Sequence, residues 1–81
     1  MGTTALIVDQ ELDIRGEVCP YTFVKSKLAL EELETGQVLR VLLDHRPAVD
    51  NVPRSMQNEG QEVLDVSQIG PTEWTITIRK A

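Results

Sequence analysis

Eighty-one residues, 41% of them apolar, suffice for one compact domain with one modest core and leave no material for a second. Tyr21, Phe23 and Trp74 are the whole aromatic complement, so the core must rest on Val, Leu and Ile, and a surface site is expected rather than a deep small-molecule cavity. Thirteen acidic against eight basic side chains give a net charge of -5, which repels phosphate backbones and argues against direct binding of nucleic acid.

The opening MGTTALIVDQELD has no basic leader region and no long apolar run, and no window approaches a membrane span, so a cytoplasmic protein without membrane contact is expected. From Ala5 to Ile14 the chain starts apolar and then alternates, with Leu12 and Ile14 opposite Glu11 and Asp13, which predicts a strand entering a half-buried sheet. Gly16 ends it. Cys19-Pro20 follows, and Pro suits the first helical turn, where its missing N–H has no partner to lose.

A helix is predicted from about Pro20 to Glu34, closed by Gly36. Phe23, Ser26, Ala29, Leu30 and Leu33 share the face expected to meet the sheet. Val24 and Leu28 form an i,i+4 apolar pair off that face. They read either as a wide edge of the core, the favoured expectation, or as an exposed partner-facing patch beside the thiol.

Val38 to Asp44, VLRVLLD, is almost continuously apolar and predicts the central strand. Asp44 to Pro47 reads as a turn and helix start, after which Ala48, Val49, Val52 and Met56 share one face of a second helix ending near Asn58 and Gly60. Pro53, inside that pattern, either kinks the helix or marks its true beginning. Glu62–Ile69 and Glu73–Arg79 alternate and are rich in Val, Ile, Thr and Trp; with Gly70-Pro71 between them they predict a hairpin. The order β-α-β-α-β-β with so few helices predicts a two-layer α/β sandwich, a four-stranded mixed sheet with both helices on one face, as a single domain with its core between about residues 5 and 80.

One cysteine excludes an intramolecular disulfide, and one His with scattered carboxylates excludes a structural zinc site; neither metal nor cofactor is expected. Cys19 is therefore either a buried small hydrophobe or a reactive thiol. Its place beside a helix-starting proline predicts a sulfur near unpaired helix N–H groups, with Arg15, Lys25 and Lys27 adding positive potential and Glu17 and Glu31 opposing it. His45, Trp74 and the Glu31, Glu32, Glu34 group read as ordinary turn, strand and solvated helix residues.

The stretch Leu12-Asp13-Ile14-Arg15-Gly16-Glu17-Val18-Cys19-Pro20 resembles the opening L-D-x-x-G-x-x-C-P segment of the TusA/SirA-like sulfur-carrier family. The likeness continues through Lys27, Thr35-Gly36, Asp44, Asn51-Val52-Pro53 and the closing Ile78-Arg79-Lys80. It implies the same β-α-β-α-β-β sandwich and a persulfide carrier: Cys19 would accept sulfane sulfur from a cysteine desulfurase or rhodanese-like donor and pass it to an acceptor protein. Such a protein is a co-substrate as much as an enzyme. Pro20 would set the helix start, Lys27 would lie on the partner-facing side, and Arg15 and Arg46 are further candidates for partner contact. The family pattern C-P-x-P reads Cys19-Pro20-Tyr21-Thr22 here, so Thr22 restores a backbone N–H and places a hydroxyl near the sulfur.

Two rival readings have different signatures. Cys19-Pro20-Tyr21 also looks like a monothiol glutaredoxin site, which would require a strand after Pro53 and a terminal helix. A non-catalytic interaction module of the same fold would use the Val24 and Leu28 patch and not the thiol. A monomer is the default expectation.

Overall fold

The computed structural model describes residues 7–81. Its elements run β1 (Gln10–Asp13), α1 (Tyr21–Glu31), β2 (Val38–Leu43), α2 (Arg46–Asn58), β3 (Glu62–Gly70) and β4 (Glu73–Arg79). The strands form one sheet in the order β1-β2-β4-β3, with β1 parallel to β2 and the other pairs antiparallel. This is the predicted two-layer mixed sandwich. Pro53 lies inside α2, where the glutaredoxin reading requires a strand to follow that proline.

The central strand follows from its composition. Leu39, Val41 and Leu43 are fully buried against the helices, in register with Ile78, Ile76 and Trp74 of β4, while Arg40 and Leu42 turn to the helix-free face beside Thr75 and Thr77. Ile14, Leu30, Ala48, Val52 and Met56 complete the core over the covered face, with Phe23, Leu33, Val63 and Trp74 packed at its margin. No buried polar side-chain atom among the described residues lacks a hydrogen-bond partner.

Several boundaries depart from the expectations. The first strand is short: Ala5 and Leu6 lie outside the described residues, and Ile7 to Asp9 precede the strand, with Ile7 exposed. Asp9 nonetheless binds β2, its N–H donating to the Val38 carbonyl (2.9 Å) and its carboxylate accepting from the Val38 N–H (2.8 Å). Ile14, beyond the strand end, stays in the core because its N–H donates to the Leu42 carbonyl (2.9 Å). The first helix ends at Glu31, where Lys80 Nζ donates to the Glu31 carbonyl (3.1 Å) and satisfies one of the orphan acceptors at that terminus. Pro53 marks no beginning, since α2 already starts at Arg46 with Pro47 in its first turn.

Val24 and Leu28 are not the edge of the core. They are 43% and 57% exposed and, with Tyr21 at 58% and Val18 at 50%, form an apolar strip on the outer side of α1. The physical reason lies on the opposite side, where Thr22, Ser26 and Leu30 turn inward and carry the helix onto the sheet.

Candidate functional site

The only thiol in the chain sits in the loop between β1 and α1, and that loop is held at several points. Gly16 adopts φ +92°, a left-handed conformation that a side chain would strain, and its N–H donates to Asp44 Oδ1 at the end of β2 (2.9 Å). The Glu17 N–H closes the turn onto the Ile14 carbonyl (3.1 Å). Arg15 forks between Asp13 (2.8 Å) and Glu73 (3.1 Å), tying the loop to the start of β4. These bonds hold the Asp13 carboxyl below its ordinary value of 3.8, chiefly through the side-chain bond from Arg15, and push the guanidinium further up, chiefly through Asp13.

Cys19 is half-buried against the core margin, and its peptide bond to Pro20 is cis. The helix N-terminus does not supply the sulfur's partners. The Tyr21 and Thr22 N–H groups both donate to the Val18 carbonyl (2.8 and 3.2 Å), and those of Phe23 and Val24 to the Pro20 carbonyl (3.1 Å each). With the first-turn donors already engaged by these carbonyls, the expectation of a thiol beside free N–H groups is corrected.

Side chains take their place. Thr22 Oγ1, fully buried, lies 3.5 Å from Cys19 Sγ, and the Asn51 amide donates to Sγ from α2 at 3.8 Å. The hydroxyl expected from Thr22 is thus in contact with the sulfur. Asn51 was visible in the sequence only as part of a motif, and nothing in a one-dimensional pattern places it against a cysteine 32 positions away.

The expected cations are mostly spoken for. Lys25 pairs with Glu17 (2.6 Å) and Lys27 reaches Glu59 at the far end of α2 (3.1 Å), so Lys27 acts as a tie between helices. Arg46 stacks over the Trp74 ring, 5.8 Å from its centroid, at the start of α2. Pro20 occupies the residue before the helix, and Asp44 earns a role the sequence hinted at by anchoring Gly16. A depression lies elsewhere, on the helix-free face of the sheet, lined by Glu11, Arg40, Leu42, Ser67, Thr75 and Thr77. It holds neither Cys19 nor any other nucleophilic thiol. Among the described residues no group of His, Cys, Asp and Glu side chains is placed to hold a metal, and no helix is long and apolar enough to cross a membrane.

A single half-buried thiol at a strand-to-helix junction, beside an exposed apolar strip, marks this small one-cysteine α/β sandwich. The crystal structure of a SirA-like protein from Desulfitobacterium hafniense has the same fold, with a TM-score of 0.77 and 28% identity over 86% of this chain and 95% of that one. The chain belongs to the family described as sulfurtransferase TusA, whose model matches residues 10–80. It is 57% identical over 72 residues to a candidate sulfur carrier protein of Archaeoglobus fulgidus, covering 89% of this chain and 82% of the relative. It is 39% identical over 67 residues to the candidate sulfur carrier protein YedF of Escherichia coli, covering 83% and 87% of the two chains.

Proposed function

We propose that this protein is a sulfur carrier that holds sulfane sulfur as a persulfide on Cys19 and passes it between partner proteins. The observation that carries the reading is the setting of the chain's one thiol: partly accessible, with hydroxyl and amide neighbours, in a chain of the TusA family.

In the loading step the Cys19 thiolate attacks the terminal sulfur of a persulfide on a cysteine desulfurase or rhodanese-like donor. A new S–S bond forms at Cys19, the donor's S–S bond breaks, and the donor sulfur leaves as a thiolate, its former terminal sulfur and proton now on Cys19. Delivery is the same exchange with an acceptor thiolate as nucleophile and Cys19 as leaving group, so no external oxidant or reductant is consumed. A single cysteine is consistent with carriage, because a resolving thiol in the same chain would intercept the sulfur, and equally consistent with no redox role. A reducing cytoplasm is the compartment that keeps such a lone thiol free, and a monomer leaves it accessible.

The exposed strip of Val18, Tyr21, Val24 and Leu28 is the surface on which donor and acceptor would dock. Arg15, Lys27 and Arg46 are the cations proposed for partner contact, with Arg15 and Lys27 already in ion pairs.

Intact mass after incubation with a cysteine desulfurase and free cysteine tests the proposal. Wild type should gain about one sulfur atom (~32 Da), reversibly with reductant, and Cys19→Ser should gain nothing. No gain with several donors would return the protein to the interaction-module reading, in which Cys19→Ser also keeps its cellular effect.

A further inference from the structure

We infer that Asn51 is a positioning residue for the sulfur chemistry: its amide selects the anionic form of Cys19, whereas Thr22 holds the sulfur in place without favouring either form. The inference rests on the carrier reading of Cys19.

The two neighbours differ in what they can do. Thr22 carries a hydroxyl, which donates or accepts by rotation; it can accept from the thiol S–H and donate to the thiolate. It is therefore paired whichever form is present, as a fully buried hydroxyl must be. The Asn51 –NH2 group can only donate. A hydrogen bond to a charged acceptor is about twice as strong as one to a neutral acceptor, so this amide gains most when the sulfur is an anion.

That bias acts at both ends of the cycle. Negative charge rests on Sγ before loading, when Cys19 attacks the donor's terminal sulfur, and returns to Sγ on delivery, when the Cys19–S bond to the outgoing sulfur breaks. One donor aimed at Sγ serves both steps. The lysines predicted to do this work are engaged by Glu17 and Glu59, while the Asn51 amide reaches the sulfur from α2. Asn51 projects from α2, whose inward face is occupied by Val49, Val52 and Met56, and it is itself exposed; its side chain has no part in the core.

The test is the rate of Cys19 alkylation by iodoacetamide at one fixed neutral pH, run beside donor-dependent loading by intact mass. Asn51→Leu, of similar size without a donor, should alkylate and load roughly 2- to 5-fold more slowly, the worth of one charge-assisted bond partly offset by the greater nucleophilicity of a more basic thiolate. Asn51→Asp, isosteric but anionic, should be slower still, by about 10-fold or more against wild type. Thermal melting of both Asn51 variants should match wild type, which separates a charge effect from a structural one. Wild-type alkylation and loading rates in Asn51→Leu, or equal rates for Asn51→Leu and Asn51→Asp, would overturn the inference while leaving carriage intact. A wild type that takes up no sulfur from any donor, with the alkylation order preserved, would overturn carriage and leave the amide's effect on the thiol standing.

Discussion

The two helices cover the same sheet in opposite ways. α2 keeps the expected division, with Ala48, Val49, Val52 and Met56 buried and Asp50, Asn51, Arg54 and Gln57 in solvent. α1 puts Thr22 and Ser26 inside and Tyr21, Val24 and Leu28 outside. The inward hydroxyls are tolerated because each is paired: Ser26 Oγ donates to the Thr22 carbonyl (2.7 Å) and Thr22 Oγ1 meets the Cys19 sulfur. The outward apolar residues have no counterpart in folding, since removing them from water requires a second protein. The pattern of α2 is that of a helix that only stabilises a domain, and the outward apolar residues of α1 are what the proposed docking role would require. The thiol sits in the loop that leads into the second.

The sharpest way to break that contrast is to damage α2. Met56→Ala should cost about 2–5 kcal/mol, a large fraction of what a domain this size has, and lower the urea midpoint without changing the slope. Iodoacetamide should still label Cys19 at the wild-type rate in the folded fraction. Slower labelling there would mean that α2 packing governs the thiol directly.

Substitutions on the outside of α1 should do the reverse. Val24→Ser with Leu28→Ser is expected to leave stability within about 0.5 kcal/mol per site and to slow sulfur transfer from a protein donor by about 10-fold, or ~1.4 kcal/mol. Loading by a small-molecule persulfide should be unchanged. Equal transfer rates from the protein donor in variant and wild type would show that the strip is not the docking surface.

A smaller effect concerns the loop that delivers Cys19 to α1. Asp13 titrates below its ordinary value when folded, so its bonds to Arg15 stabilise the fold at every pH above about 3.8 and are lost as pH falls through the lowered folded value. Thermal melts between neutral pH and about pH 3 should therefore fall less steeply for Asp13→Asn than for wild type. Parallel curves would remove this ion pair from the account of acid stability. The smallest change is expected for Ser26→Ala, where losing one side-chain hydrogen bond is offset by Ala's better helix propensity, leaving stability within about 0.5 kcal/mol. A loss above about 1.5 kcal/mol would show that the buried hydroxyl is essential to how α1 packs.

Much of this molecule was legible in one dimension because the signals are local. The apolar run of β2, the four-position stripe of α2 and the turn at Gly70-Pro71 each arise from neighbouring residues, and the element order follows from their succession. The motif around Gly16 and Cys19-Pro20 was legible for the same reason: its glycine answers a positive φ and its proline a helix start. Sequence by itself therefore determined the sandwich, its single thiol and the junction that presents it.

Tertiary structure alone decided what surrounds that thiol. Periodicity places Val24 and Leu28 off the core stripe but cannot say whether a second layer covers them, because cover depends on how α1 is rolled against the sheet. Lys25 and Lys27 look available to the sulfur until Glu17 and Glu59 arrive from other segments to claim them. Asn51 meets Sγ because α1 and α2 pack side by side on one face, an adjacency created by the β1-β2-β4-β3 strand order and not by any spacing along the chain. Hydrogen bonds and ion pairs act over a few ångströms, so which side chains share them is settled by packing, and the sequence fixes that packing only through the fold as a whole.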